Sequence, residues 1–300
     1  MMKVLVAGAT GVLGKEIVRR LREERHAVTA LVRSTSAPQK VSYLEGLGAS
    51  IVQGDLKDPA SLAAACREVD AVISTVSMIL TAQPGDSFAA TDGAGTRNLI
   101  DAAVAAHARH FVFVSFDTSV VPDCPLVITK REAEDHLTQS GLTYSILHPS
   151  LFMESWLGPM LFADPNAGTA RIYGDGQIRI RYVAMTNVAE LAVRCLTVPS
   201  ARNAIIPFGG PEELSQREAL RLFEEAYEQS FTVTELPEAA LEAAWRSADD
   251  PLQKSFSALM LSVARGLDRR MRPPFDNFPM QMVSVADFAR TNAAAHKMGM

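Results

Sequence analysis

Cysteine is scarce in this chain of 300 residues: Cys66, Cys124 and Cys195 are odd in number, far apart and without metal-ligand spacing. That excludes a disulfide framework and a cysteine-built metal site, and buried thiols in a reducing compartment are the expectation. Long apolar runs are missing as well, since none approaches the roughly 20 residues of a membrane-crossing helix. There is no basic excess: 29 Lys and Arg against 34 Asp and Glu leave a net charge of −5. No nucleic acid and no membrane is therefore expected as a partner. The six histidines form no cluster, so no metal is expected. Met-Met-Lys before a short strand-like run lacks the apolar core of a secretory leader, and a cytoplasmic location is expected.

What is present is alternation. Short apolar runs at Lys3–Ala7, Ala27–Val32, Ser50–Val52, Ala71–Ser74, His110–Ser115 and Thr143–Leu147 predict buried strands. Stretches of helical period lie between them: Leu13, Ile17, Val18 and Leu21 share one face, and Leu99, Ala102, Ala103 and Ala106 share another. Asp58-Pro59 starts a further helix, with an acidic cap and proline in the first turn. This order predicts an α/β fold of the Rossmann type, a doubly wound parallel sheet over residues 1–150. The pattern loosens over Pro149–Gly176, and residues 151–300 are expected to form a smaller lobe for substrate or partner. Helices are predicted at Thr186–Val198, Ser215–Glu228, Glu238–Ser247, Pro251–Leu267 and Val285–Ala295, and strands at Ala204–Pro207 and Phe231–Leu236. The last of these strands lies outside the main sheet, the stretch 186–228 partly returns to it, and 269–279 is irregular.

Gly8-Ala9-Thr10-Gly11-Val12-Leu13-Gly14 falls between the first strand and the first helix. Glycines there allow a tight turn and close approach of backbone to a pyrophosphate, which the helix N-terminus then faces. Gly8, Thr10, Gly11, Val12, Leu13 and Gly14 are thus expected to bind a dinucleotide. Arg33 ends the second strand, at about the twenty-residue spacing from Gly14 where an acid would select NAD. No acid occupies Val28 to Ser36, so NADP(H) is expected in preference to NAD(H), with Lys40 a weaker second cation. After the third strand Asp55 either accepts an adenine amino group, with Leu56 against the ring, or caps a turn. Ser74, Thr75 and Val76 leave the fourth strand, and Pro149 and Ser150 the sixth, towards the same cleft. No Ser-His-Asp order or nucleophile elbow is visible.

These residues resemble the short-chain dehydrogenase/reductase superfamily, and within it the atypical NmrA-like and isoflavone-reductase-like branch. The glycine loop, Leu31-Val32-Arg33, Gly54-Asp55-Leu56, Gly95-Thr96-x-Asn98, the run from Lys130 to Leu147, Phe152-Met153-Glu154 and Gly209-Gly210-Pro211 carry the resemblance over about residues 3 to 228. Two departures stand out. Leu126 occupies the place of the tyrosine in the superfamily's Tyr-x-x-x-Lys, and His148 stands where many relatives have Arg.

The resemblance implies that Lys130 meets the nicotinamide ribose and acts as general acid/base; alternatively Lys130 pairs with Glu134 on the helix surface. Ser115 is expected to hydrogen-bond the cofactor or a substrate oxygen, and Asp117 to orient Lys130 or face solvent. Phe152, Met153, Trp156, Met160 and Phe162 either line an apolar substrate pocket or form core. The implied activity is NADP-dependent reduction of a small apolar carbonyl or activated double bond. The missing tyrosine keeps a second reading open, a non-catalytic NAD(P)-sensing regulator that binds a protein partner.

Overall fold

The apolar runs of the first half become neighbouring strands in the computed structural model, which describes residues 1–266, 271–273 and 278–298. The strands are β1 (Lys3–Ala7), β2 (Ala27–Val32), β3 (Ser50–Gln53), β4 (Ala71–Ser74), β5 (His110–Val114) and β6 (Thr143–Pro149). With β10 (Ala204–Phe208) they form a seven-stranded sheet of order β10-β6-β5-β4-β1-β2-β3. Every pairing from β3 to β6 is parallel, with Ala7 of β1 in register with Leu31 on one side and Ser74 on the other. The helices α1 (Val12–Glu23), α2 (Pro38–Gly46), α3 (Pro59–Ala65), α4 (Thr96–Ala105) and α5 (Pro125–Gln139) make the crossovers. Such an order reverses direction between β1 and β4, and ligands of open α/β sheets bind outside the strand carboxyl ends at that point.

Local chemistry explains the boundaries. The Asp58 side chain accepts from the Ala60 N–H ahead of Pro59 and so opens α3 as predicted. Leu13, Ile17, Val18 and Leu21 are all buried, as the α1 periodicity requires. Phe88–Gly95, for which the sequence suggested no element, winds as a π-helix, capped by Ser87, directly before α4. Gly93 and Gly95 make this winding compatible with its neighbours, because a Cβ on Gly95 would stand 2.8 Å from the Leu56 Cβ.

The chain divides into two units. The first comprises Met1–Phe116, Pro125–His148 and Val188–Ile206; the second comprises Asp117–Cys124, Pro149–Asn187 and Pro207 onward. The second is less irregular than Pro149–Gly176 suggested, holding α6 (Met153–Trp156), β7 (Ala163–Asp164) and β8 (Thr169–Tyr173). β12 (Thr232–Leu236) runs parallel to β8 and β7 antiparallel to it, in a three-stranded sheet separate from the main one, as predicted for this strand. Of the stretch 186–228, β10 joins the main sheet, whereas β11 (Leu214–Ser215) pairs with β9 (Arg179–Ile180), which precedes the stretch. The helices α7 (Met185–Arg194), α8 (Gln216–Tyr227), α9 (Glu238–Ser247), α10 (Pro251–Arg265) and α11 (Val285–Lys297) complete the described elements. α7 is shorter than predicted, since the chain turns after Arg194 ahead of Pro199. Ser215 and Glu218 form a reciprocal capping box on α8. Most of 269–279 lies outside the described residues.

Candidate functional site

The glycine loop sits at the reversal point because β1 ends at Ala7 and α1 begins at Val12. Gly8 has φ +81°, and a Cβ there would lie 2.5 Å from Thr75 Oγ1; at Gly14 it would lie 2.1 Å from the Gly8 carbonyl oxygen. Neither position admits another residue without moving backbone. The Gly11 N–H donates to the Gly8 carbonyl at 3.0 Å, and the Thr75 N–H to the Ala7 carbonyl at 3.1 Å. Gly11 caps α1 without a side-chain hydrogen bond, and the first turn carries no acid. The helix-end amides and dipole are thus left for an anion. Leu13 is buried beneath the loop and Val12 is exposed.

A cavity of about 310 Å³ opens at the carboxyl ends of β2 and β3, lined among others by Arg33, Gly54, Asp55, Lys57, Gln83 and Asp86. Arg33 ends β2 as predicted, and its Nη1 donates to Asp86 Oδ2 at 2.7 Å. Lys57 Nζ donates to Asp86 Oδ1 and lies 3.6 Å from Asp55 Oδ2. Burial opposes the Asp86 charge, but the hydrogen bonds from Lys57, Arg33 and the Gln83 N–H prevail and hold its carboxyl down at about 2. Asp55 takes the turn-capping role, accepting from the Lys57 N–H at 2.8 Å, while also lining the cavity. Leu56, expected against an adenine ring, is instead a core residue packed under Gly95. Lys40 is exposed on α2. Lys57, Gln83 and Asp86 went unread in the sequence, where only Lys57's place beside Asp55 hinted at a role.

Lys130 lies in the second turn of α5 and is not a surface residue. Its side chain is 3% exposed and its Nζ lies 3.4 Å from Asp92 Oδ1, itself wholly buried. The ammonium donates to the Val76 carbonyl at 2.8 Å and stands 4.9 Å from the Phe113 ring centroid. Asp92 is carried by the π-helix, and its other oxygen accepts from the Met78 N–H at 3.0 Å. The pairing of Lys130 with Glu134 is absent. Nearby on β4 and beyond, the hydroxyls of Ser74 and Ser77 are buried without a hydrogen-bond partner among the described residues. Leu126 is buried where the tyrosine would stand.

Glu134 is engaged elsewhere. Its Oε1 accepts from the Ser115 hydroxyl and from His148 Nε2, the latter at 2.9 Å, and all three residues are buried. This joins the carboxyl ends of β5 and β6 to α5. A carboxylate only accepts, so Ser115 spends its single proton on Glu134. The Ser115 hydroxyl can therefore accept from a ligand but has no proton left to donate, which narrows the role expected for it. Asp117 accepts from the Ser119 N–H at 2.9 Å.

In the second unit, Pro149 and Met153 are buried; Met153 forms core with Leu157 and Phe162 and presents no surface to a ligand. Trp156 is half-buried and meets Tyr173 edge-on at 6.4 Å, Phe152 is half-buried, and Met160 is 58% exposed. Glu154 accepts from the Met185 N–H through both carboxylate oxygens, at 2.9 and 3.0 Å, and so anchors the start of α7. Among the described residues no helix is long and apolar enough to cross a membrane.

The glycine cradle, the uncapped helix end, the cationic side chains of the cavity and the unpartnered buried hydroxyls fit a dinucleotide in the first unit. Comparison with known proteins agrees. The NAD(P)H-binding family profile matches residues 8–199. A photosystem II assembly factor, Ycf39 of Synechocystis sp., is 31% identical over 288 residues, covering 92% of this chain and 85% of its own. An NAD(P)H azoreductase of Xenophilus azovorans is 30% identical, covering 72% and 70%. Among solved structures, an Escherichia coli NADPH-dependent quinone oxidoreductase complexed with NADPH superposes with TM-score 0.76 at 22% identity, over 96% of this chain and 99% of that one. Pinoresinol-lariciresinol and phenylcoumaran benzylic ether reductases, described in relation to isoflavone reductases, superpose with TM-score 0.80 at 18% identity, over 97% and 98%. The last two likenesses are of fold.

Proposed function

The chain belongs to the NAD(P)H-binding family, and on that premise we propose that it is an NADP(H)-dependent reductase of a small apolar carbonyl or activated double bond. The observation that carries this reading is Lys130, a cation kept almost wholly out of water at the carboxyl ends of the strands. Burying an ion pair costs several kcal/mol per ion unless geometry repays it, and a protein that merely held a dinucleotide would have no need of one there. When bound, NADPH supplies the hydride. The Gly8–Gly14 backbone and the start of α1 hold pyrophosphate, Arg33 and Lys57 face the adenosine end, and Ser74, Thr75 and Val76 border the nicotinamide end. Lys130 offers its ammonium to the ribose and to the oxygen or carbon that must gain a proton. Ser115, as an acceptor, takes a hydrogen bond from a ribose hydroxyl of the cofactor. Choice of substrate is assigned to the second unit, where Phe152, Trp156 and Met160 keep accessible apolar surface.

The test is NADPH oxidation against a panel of quinones, azo dyes and conjugated enones, with transfer of deuterium from labelled cofactor to product. A second reading, a cofactor-binding protein that serves a protein partner without turnover, draws on Leu126 in place of the tyrosine and on the assembly-factor relatives. Tight NADPH binding with no oxidation above background across the panel would favour it.

A further inference from the structure

The cavity beside Arg33 is not a cationic one. Two cations, Arg33 and Lys57, line it together with three carboxylates, Asp55, Asp58 and Asp86. Asp86 is the carboxylate that both cations hold, and its side chain is 1% exposed while theirs are 30% and 31% exposed. Its place is fixed from its own loop as well: the Gln83 N–H donates to Oδ2 at 3.0 Å and the Thr91 hydroxyl to Oδ1 at 3.3 Å. The Thr35 hydroxyl donates to Gln83 Oε1 at 2.6 Å, tying the segment after β4 to the end of β2.

We infer that Asp86 is a specificity-determining residue: a built-in counter-anion on Arg33 and Lys57 that weakens the chain's selection of a 2′-phosphorylated cofactor over its unphosphorylated counterpart. This rests on the reading of the first unit as an NADP(H) site. Arg33 gives one of its five N–H donors to Asp86, and the rest remain for a phosphate. The arriving dianion meets the Asp86 charge at contact range behind those donors, where screening by salt is weak. A hydroxyl in place of the phosphate feels no such opposition. The pair is thereby tuned to accept both cofactors, with the 2′-phosphate favoured only by the surplus that Asp86 leaves.

Titration calorimetry with 2′,5′-ADP and 5′-AMP isolates this end of the cofactor and needs no substrate. Asp86→Asn keeps the shape and removes the charge; it should tighten 2′,5′-ADP by about tenfold or more and leave 5′-AMP within about twofold. Asp86→Ser, whose hydroxyl still accepts from Gln83, should shift the ratio the same way if the amide disturbs the loop. In Arg33→Ala/Asp86→Asn most of the gain should vanish, since its beneficiary is gone. An unchanged ratio in both single variants, or equal weakening of both ligands, overturns this inference and leaves the cofactor reading standing. Failure of the unsubstituted chain to bind 2′,5′-ADP at all overturns both.

Discussion

Asp92 Oδ1 lies 3.4 Å from Lys130 Nζ, with the carboxylate wholly buried and the lysine side chain 3% exposed. The two residues come from the π-helix and from α5, and each also holds a backbone group of the segment after β4, the Met78 N–H and the Val76 carbonyl respectively. Removing one charge strands the other in a low-dielectric interior. Asp92→Asn should therefore cost about 3–5 kcal/mol of stability, and Asp92→Asn/Lys130→Met distinctly less. Urea unfolding of the two variants checks this; a double variant as unstable as the single one would contradict it.

Lys130 itself separates proton transfer from binding. Lys130→Ala should cut turnover by about 10²–10⁴-fold, the usual contribution of a positioned acid or base, with a far smaller loss of NADPH affinity. Lys130→Arg keeps the charge but cannot release a proton near neutral pH. Full turnover in the Arg variant would show that the lysine is an anchor and that the proton comes from elsewhere.

Arg33→Ala should weaken NADPH by about tenfold or more, the charge-assisted contact contributing on the order of 1.5–3 kcal/mol, and leave NADH nearly unchanged. Calorimetry on both cofactors decides; equal losses would remove Arg33 from the phosphate contact.

Gly14→Ala and Gly46→Ala make a matched pair. A Cβ at Gly14 would run into the Gly8 carbonyl oxygen at 2.1 Å, whereas at Gly46, the last residue of α2, it meets nothing within 4 Å. The first substitution should cost about 1–3 kcal/mol and most of the cofactor affinity, because α1 must move off the loop. The second should be neutral or stabilise by up to about 1 kcal/mol. Thermal unfolding with and without NADPH reads both effects.

His110 gives the fold a pH dependence. Its Nε2 lies 2.9 Å from Ser145 Oγ, and the Ser145 hydroxyl donates onward to the Ala201 carbonyl at 2.7 Å, so the ring nitrogen is the donor. Burial, with the Arg202 charge adding to it, pushes the imidazole down to about 4 from 6.5. The folded value lies below the unfolded one, so the unfolded chain binds more protons between them. The His110 contribution is complete above pH 6.5 and is lost as pH falls towards 4. About 2 kcal/mol should disappear between pH 7 and pH 5. His110→Gln keeps a donor without the titration, and its urea midpoint should fall correspondingly less over that range.

The parallel strands and the glycine loop were legible because each is written in consecutive residues, through apolar runs of sheet length and glycines where backbone must pass close to backbone. Arg33 was legible for the same reason, as the end of a strand. Its partner was not: Asp86 stands 53 positions away in sequence and is brought to Arg33 only by the crossover from β2 to the segment after β4. Glu134 misled for a related cause. Four residues from Lys130 on one helix, it satisfied a local pairing rule, but the helix is buried there and tertiary partners, Ser115 and His148, claimed it instead. Leu56 went astray by the pattern's silence on which face of the loop meets the core.

The π-helix turns the length of one short segment into an angular setting. Its hydrogen bonds reach one residue further than those of an α-helix, so it holds a residue that an α-helical path from Ser87 to Thr96 would not need. Deleting a single residue from Phe88–Ala90 would take up that extra residue and let the segment relax to ordinary winding, whereas deleting a second would swing the residues before the cut by about 100° relative to those after it. Asp86 and Asp92 lie on opposite sides of that cut, one clasped by Arg33 and the other by Lys130. A two-residue change in this stretch would force the chain to give up one clasp or the other, so the spacing between Arg33 and Lys130 is kept by a count of residues as much as by their kinds.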